Sequence, residues 1–179
     1  MSSPLLDLGE GAEVRLLEPG DAEKVFELVD AERERLREWM PWVDATLGPA
    51  DTREFIEHDR AAEDLDALGI YLDGSYVGGI GLRVDAMHRD AEIGYWIASA
   101  HEGRGLVTRA CDELIDYAFT ELGLHRVTIR VAPSNARSRA IPERLGFTEE
   151  ALLREAGRTA LGYHDLVVYG LLEDEWPPP

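Results

Sequence analysis

The sequence predicts an α/β fold, a single-domain mixed and largely antiparallel sheet with helices on both faces, and three observations predict it. Up to about residue 68 the apolar residues recur at helical spacing, whereas from residue 69 short runs rich in β-branched and aromatic residues take over. The pair Asp73-Gly74 sits between two such runs, the pattern of a tight hairpin. Residues 91–132 read strand, glycine loop, helix, strand, which is one βαβ unit at the centre of the sheet.

In chain order, "AEVRLL" (12–17) is a short opening strand. "PGDAEKVFELVDAERERLREWM" carries Asp21 as an N-cap and apolar residues at Val25, Leu28, Val29, Leu36 and Trp39. Pro41 stops it, giving one or two helices. "PADTREFIEHDRAAEDLDAL" is a further helix, with Asp51 three residues before Glu54 in a capping-box-like start and Phe55, Ile56, Ala62 and Leu65 on its inner face. "GIYLDGSYVGGIGLRV" makes the hairpin and "AEIGYWIA" (91–98) the next strand. Val107, Ala110, Cys111, Leu114, Ala118 and Phe119 mark a buried helix. "HRVTIRVA" (125–132) is a strand, "PSNARSRAIPERLGF" holds a helix that Gly146 ends, and "YHDLVVYGLL" closes the sheet. One domain is expected over 1–179, ordered over about 12–176, with 177–179 as a disordered tail.

Charge excludes several function classes. With 36 acidic residues against 18 basic ones the formal net charge is −18, which repels phosphate at long range. Neither nucleic acid nor an anionic membrane is therefore expected as a partner. The same field attracts a cationic substrate such as an amine or a basic protein, or serves solubility alone. The one cysteine, Cys111, permits no intramolecular disulfide, and His58, His88, His101 and His125 lack metal-ligand spacing, so no metal is expected. No apolar stretch reaches the ~18 residues needed to cross a bilayer, and the N-terminus lacks a basic region followed by an apolar run. The expected location is cytoplasmic.

"SAHEGRGLVT" (99–108) is the stretch most suggestive of chemistry. Gly103 and Gly105 let the backbone approach an anion without Cβ obstruction, Thr108 adds a hydroxyl, and the helix that follows presents unpaired N–H groups at the positive end of its dipole. A purely structural turn reads the same way. A dinucleotide fingerprint needs glycine where Thr108 stands, and a Walker A loop needs a lysine that this loop lacks.

Three stretches in order, "AEIGYWIASAHEGRGLVTRA", "LGLHRVTIRVAPSNARSRAIPERLGF" and "GYHDLVVYGLLEDEW", resemble the GNAT superfamily of N-acetyltransferases. The resemblance is strongest to its ribosomal-protein serine/alanine N-terminal acetyltransferases, and "LREWMPWVD" extends it to the N-terminal half. That superfamily holds the pyrophosphate of acetyl-CoA in a loop of the form Q/R-x-x-G-x-G/A. It is matched here by Glu102-Gly103-Arg104-Gly105-Leu106-Val107, in which Glu102 and Val107 depart from the pattern. The resemblance implies the acyl-CoA N-acyltransferase fold, with the strands at 91–98 and 126–132 splayed and the pantetheine arm filling the gap. It places main-chain groups of Trp96, Ile97 and Ala98 beside that arm. Gly103, Arg104, Gly105, Leu106, Val107, Thr108 and Asn135 would complete the acetyl-CoA site.

The implied reaction is direct transfer of the acetyl group from acetyl-CoA to a primary amine in a ternary complex. Glu92 is the preferred general base, acting through a water, with Glu38, His164 and Asp165 as alternatives. A strand-face salt bridge is equally open for Glu92. "NARS" matches the subgroup's N-x-x-S pattern, whose serine protonates the departing thiolate, so Ser138 is the candidate acid. The alternatives are Asn135 as an ordinary N-cap and Ser138 bonded to its own backbone. Pro142 removes the N–H that would bond the Ser138 carbonyl and should kink the helix there. Trp39 and Trp42, flanking Met40-Pro41, are candidate walls of the acceptor groove or else core residues. The acceptor is open among a ribosomal-protein N-terminus, a polyamine and an aminoglycoside. Succinyl-CoA is an alternative donor, a non-catalytic acyl-CoA-binding module is the alternative of another class, and monomer and homodimer are both open.

Overall fold

The structure is a computed structural model that describes residues 5–62 and 65–177. The strands are β1 (Leu6–Gly9), β2 (Ala12–Leu16), β3 (Leu65–Leu72), β4 (Ser75–Asp85), β5 (Asp90–Ile97), β6 (Arg126–Val131), β7 (Thr148–Thr159) and β8 (Gly162–Leu172). The helices are α1 (Ala22–Ala31), α2 (Arg33–Leu36), α3 (Pro49–Ala62), α4 (Leu106–Thr120) and α5 (Ala136–Arg144). All eight strands join one sheet in the order β1-β2-β3-β4-β5-β6-β8-β7, antiparallel at every junction except β5 with β6. This is the mixed, largely antiparallel sheet that the sequence predicts. The hairpin turn lies at Asp73 and Gly74, whose φ angles of 49° and 76° are the pair of positive values that a tight hairpin demands.

Helices cover both faces. On one, α4 buries Leu106, Ala110, Cys111, Leu114, Ile115 and Ala118 against Ile93, Val127 and Ile129. Each Leu or Ile so buried contributes about 1.5–3 kcal/mol, enough to fix the helix firmly beneath the centre of the sheet. On the other face Val25 and Val29 of α1 and Ile56 of α3 pack on Ala67 and Tyr71. Among the described residues no helix is long and apolar enough to cross a membrane.

Several local expectations are corrected. Helix α3 turns Thr52, Ile56 and Asp59 inward, while Phe55 is 47% exposed, Ala62 is exposed and Leu65 belongs to β3. The cause is polar: Asp59 Oδ1 accepts the Asp66 N–H at 2.9 Å, drawing a carboxylate to the inner face. Asp51 works from inside the first turn, its carboxylate accepting the N–H groups of Leu47 and Gly48 at 2.7 and 2.9 Å ahead of Pro49. Asp21 likewise reaches back to the Glu18 N–H at 2.9 Å and makes no side-chain cap on α1. Order starts before residue 12, because β1 pairs with β2, and β3 starts at Leu65 rather than at residue 69. Strand β7 is an edge strand exposed along almost its whole length, which explains why it carries no alternating apolar signature. Of the expected tail at 177–179, residues 178 and 179 lie outside the described residues.

Candidate active site

Among the described residues three register pairs join β5 to β6: Asp90↔Arg126, Ala91↔Val127 and Glu92↔Thr128. Beyond them β5 continues alongside β4 to Ile97 and β6 alongside β8 to Val131, so the sheet opens into a V. A cleft of about 1040 Å³ lies there, walled by β5, the 99–105 loop, the start of α4 and α5. The Ala98 N–H is already bound to the Val77 carbonyl at 2.9 Å. Strand alternation turns the Ile97 main chain the other way, where its carbonyl accepts Arg35 at 2.5 Å. Ile97 is thus the residue whose backbone faces the opening. Ala98 is buried away from the cleft wall, and Trp96 lies on that wall.

The glycine loop is built as an anion cradle. Ser99–His101 form one tight turn, Gly103 and Gly105 take left-handed φ angles of 73° and 72°, and a Cβ on either would meet nothing within 4 Å. Gly105 caps α4 without a side-chain bond, and the first turn holds no acidic residue, so the N–H groups at Leu106, Val107 and Thr108 are left for a ligand. Arg35, Arg109, Arg137 and Arg144 line the same cleft, a concentration of cations in a chain of net charge −18. Arg144 donates to Thr108 Oγ1 at 3.3 Å, whereas Arg104 is exposed and off the cleft wall. Glu102 is held by Arg35 at 3.0 Å and by Arg137, so it ties α2 and α5 to the loop. Behind it, burial pushes the Glu32 carboxyl up, but bonds from Ser99 and Arg35 outweigh that and hold it below its ordinary value.

Helix α5 presents Ser138 to the cleft. Asn135 caps it, its Oδ1 accepting the Ser138 N–H at 3.2 Å. Ser138 Oγ donates to the Tyr95 hydroxyl at 3.2 Å, and that hydroxyl donates to the Ser138 carbonyl at 3.0 Å. Burial pushes the Tyr95 phenol far up, so it stays protonated. Tyr95 is a site residue that the sequence reading missed. Its signal was the period-2 alternation of "EIGYWIA", which puts it on the face opposite Glu92.

The structure does not bring Glu92 to Ser138. Glu92 Oε2 pairs with Arg130 Nε at 3.2 Å and lies off the cleft wall, as do Glu38, His164 and Asp165. Among the described residues the carboxylate lining the cleft is that of Glu102, with the His101 imidazole beside it. Trp39 lines the cleft with Met40. Trp42, 38% exposed, packs at 6.4 Å on Trp96, which meets Tyr76 edge-on at 6.0 Å.

A split sheet with a bare helix N-terminus and arginines at its mouth defines a protein that lays an extended ligand with a phosphate end between two strands. The chain belongs to the acetyltransferase (GNAT) domain family, whose pattern matches residues 13–148. It is 44% identical over 174 residues to the "Putative ribosomal N-acetyltransferase YdaF" of Bacillus subtilis, covering 94% of this chain and 95% of that one. It is 23% identical over 175 residues to the "Ribosomal-protein-serine acetyltransferase" of Escherichia coli, covering 94% and 97%. A solved structure of Mycobacterium smegmatis RimJ in complex with CoA-disulfide superposes with a TM-score of 0.86 at 28% identity, covering 98% of this chain and 88% of that one. The activity is acetyl-CoA-dependent N-acetyl transfer of the GNAT type. The open cradle at Gly103 and Gly105, the arginines and the gap-facing Ile97 backbone all fit such a donor.

Proposed function

We propose that the acceptor is the α-amino group at the N-terminus of a basic protein, a ribosomal protein foremost. The observation that carries this reading is the end-to-end likeness, at 44% identity, to a relative named "Putative ribosomal N-acetyltransferase YdaF". Charge supports it: with cations gathered at the donor end of the cleft, the rest of the surface carries the excess of 36 acidic over 18 basic residues and attracts a cationic acceptor. Trp39 and Trp42 wall the acceptor side. Backbone N–H groups at Leu106, Val107 and Thr108, with Gly103, Gly105, Arg137 and Arg144 around them, hold the donor phosphates, and the Ile97 main chain holds its extended arm.

Acetyl-CoA supplies an activated thioester, so the protein orients the two reactants and manages protons. Ser138, on the cleft wall, gives a proton to the departing thiolate. Glu92, beside Arg130 and off the wall, acts through water as the base. The enzyme works as a single domain in the cytoplasm.

The test is a competition. A basic peptide beginning with serine, spermidine and an aminoglycoside are offered with acetyl-CoA or succinyl-CoA, reading thiol release and product mass. Preferential N-terminal acetylation of the peptide is the expected result. Preference for spermidine or the aminoglycoside overturns the acceptor, and preference for succinyl-CoA overturns the donor. Donor binding without turnover of any amine makes the protein a binding module.

A further inference from the structure

We propose that Tyr95 is the positioning residue for Ser138, its hydroxyl standing in for the backbone N–H that Pro142 cannot supply and aiming the Ser138 side chain at the cleft. This rests on the reading of Ser138 as the acid. In an unbroken α-helix the Ser138 carbonyl would accept the N–H of residue 142, but Pro142 is there, buried and inside the helix. The Tyr95 hydroxyl, arriving from β5, donates to that carbonyl at 3.0 Å.

A phenol has one proton. Because it goes to the carbonyl, the Tyr95 oxygen can only accept from Ser138 Oγ, 3.2 Å away. One hydroxyl therefore fixes both the backbone and the side chain of Ser138. The Oγ–H is parked against Tyr95 and turns to the leaving sulfur by rotation about the Cβ–Oγ bond, while the Tyr95–carbonyl bond stays intact. Protons balance: the S–H bond forms with the Ser138 proton. The substrate ammonium gives up two protons. The first leaves through water to the base and solvent, freeing the amine lone pair to attack. The second, lost from nitrogen as the C–S bond breaks and its electron pair leaves on sulfur, returns through water to Oγ, so Ser138 ends unchanged.

The far side of α5 has its own anchor. Tyr169 on β8 accepts from Arg139 Nε at 2.9 Å and donates to Glu143 at 3.0 Å. Removing the Tyr95 hydroxyl therefore leaves α5 docked and releases Ser138 alone.

The experiment is a double-mutant cycle of Tyr95→Phe and Ser138→Ala. It reads kcat for thiol release from acetyl-CoA with a serine-initiated peptide, or with spermidine where the peptide fails, together with acetyl-CoA affinity and Tm. Ser138→Ala is expected to lower kcat about 100-fold and Tyr95→Phe about tenfold. The double variant should be no slower than Ser138→Ala, with acetyl-CoA affinity unchanged throughout. The proposal is overturned if Tyr95→Phe slows the Ser138→Ala enzyme by the same factor as the native one, or weakens acetyl-CoA binding and Tm in step with the rate. A slow Ser138→Ala beside a fast Tyr95→Phe overturns the Tyr95 role alone. A fast Ser138→Ala overturns the acid reading and the Tyr95 role with it.

Discussion

Three glycines along the β4–β5 ladder give a graded test of how tightly the cleft wall is packed. A Cβ at Gly78 would press into the Trp96 carbonyl oxygen and lie 2.9 Å from Ile97 Cα, so the backbone of β5 itself must move. A Cβ at Gly79 would lie 2.6 Å from Trp96 Nε1, a side-chain atom that can tilt away at the cost of its contacts with Tyr76 and Trp42. A Cβ at Gly94 would meet nothing within 4 Å. Overpacking costs about 1–3 kcal/mol, and Gly→Ala at a compatible strand site returns about 0.4–1 kcal/mol through the unfolded chain. With backbone displaced, Gly78→Ala takes the upper end, about 2–3 kcal/mol net; Gly79→Ala loses about 1 kcal/mol; Gly94→Ala gains about 0.5 kcal/mol. For a chain of this size 1 kcal/mol moves Tm by about 2–4 °C. Calorimetry should then show Tm falling by about 8 °C, falling by about 3 °C and rising by about 2 °C in that order. Gly78→Ala should also weaken acetyl-CoA binding, because it pushes Ile97 into the opening. If all three variants melt alike, the wall is looser than these contacts require and the reasoning fails.

Carboxyl shifts of opposite sign predict a stability maximum on the acid side of neutrality. Burial, reinforced by Asp116, raises Asp112, and burial with Asp112, Asp116 and Asp7 raises Glu113, so the folded state gains protons and stability as pH falls toward their raised values. The Arg126 hydrogen bond lowers Glu150, and Glu32 is also held low, so their contribution disappears as pH falls below the ordinary carboxylate range. Tm should climb as pH falls toward the raised Asp112 and Glu113 values and drop once pH passes below the ordinary carboxylate range, and a profile that only falls on acidification contradicts this. Cys111 is fully buried and its thiol is pushed up by burial, so Ellman's reagent should find no thiol in the native enzyme and one per chain in denaturant. Glu102→Gln frees Arg35 and Arg137 for phosphate: calorimetry should show acetyl-CoA binding tightened about threefold and Tm lowered by about 2 °C, and weaker binding refutes it.

What was legible in the sequence is what is local in it. The hairpin at Asp73-Gly74, the helix at 106–120 and the glycine cradle each depend on residues a few positions apart, so spacing and residue type reveal them. Asn135, Ser138 and Pro142 were readable for the same reason. Side-chain pairings across the fold were not. Arg35 reaches Glu102 over 67 residues and Tyr95 reaches Ser138 over 43, and nothing in either stretch marks its partner. Glu92 shows the same limit from the other side: its place on the strand was legible, but its ion pair with Arg130 on the neighbouring strand was not. Strands β1 and β7 escaped because edge strands bury too little to alternate.

With so short a ladder between β5 and β6, the sheet behaves as two boards on one hinge, β1 to β5 on one side and β6, β8 and β7 on the other. From Glu92 to Ile97 the free edge of β5 runs roughly 16 Å, so a rotation of about 4° at the hinge moves its tip by about 1 Å. Small twists of the sheet are thereby amplified into changes of aperture, with the Tyr95 and Tyr169 hydroxyls stitching α5 across the two boards. An extended molecule lying in the opening would bridge the two boards, a splint as well as a reactant.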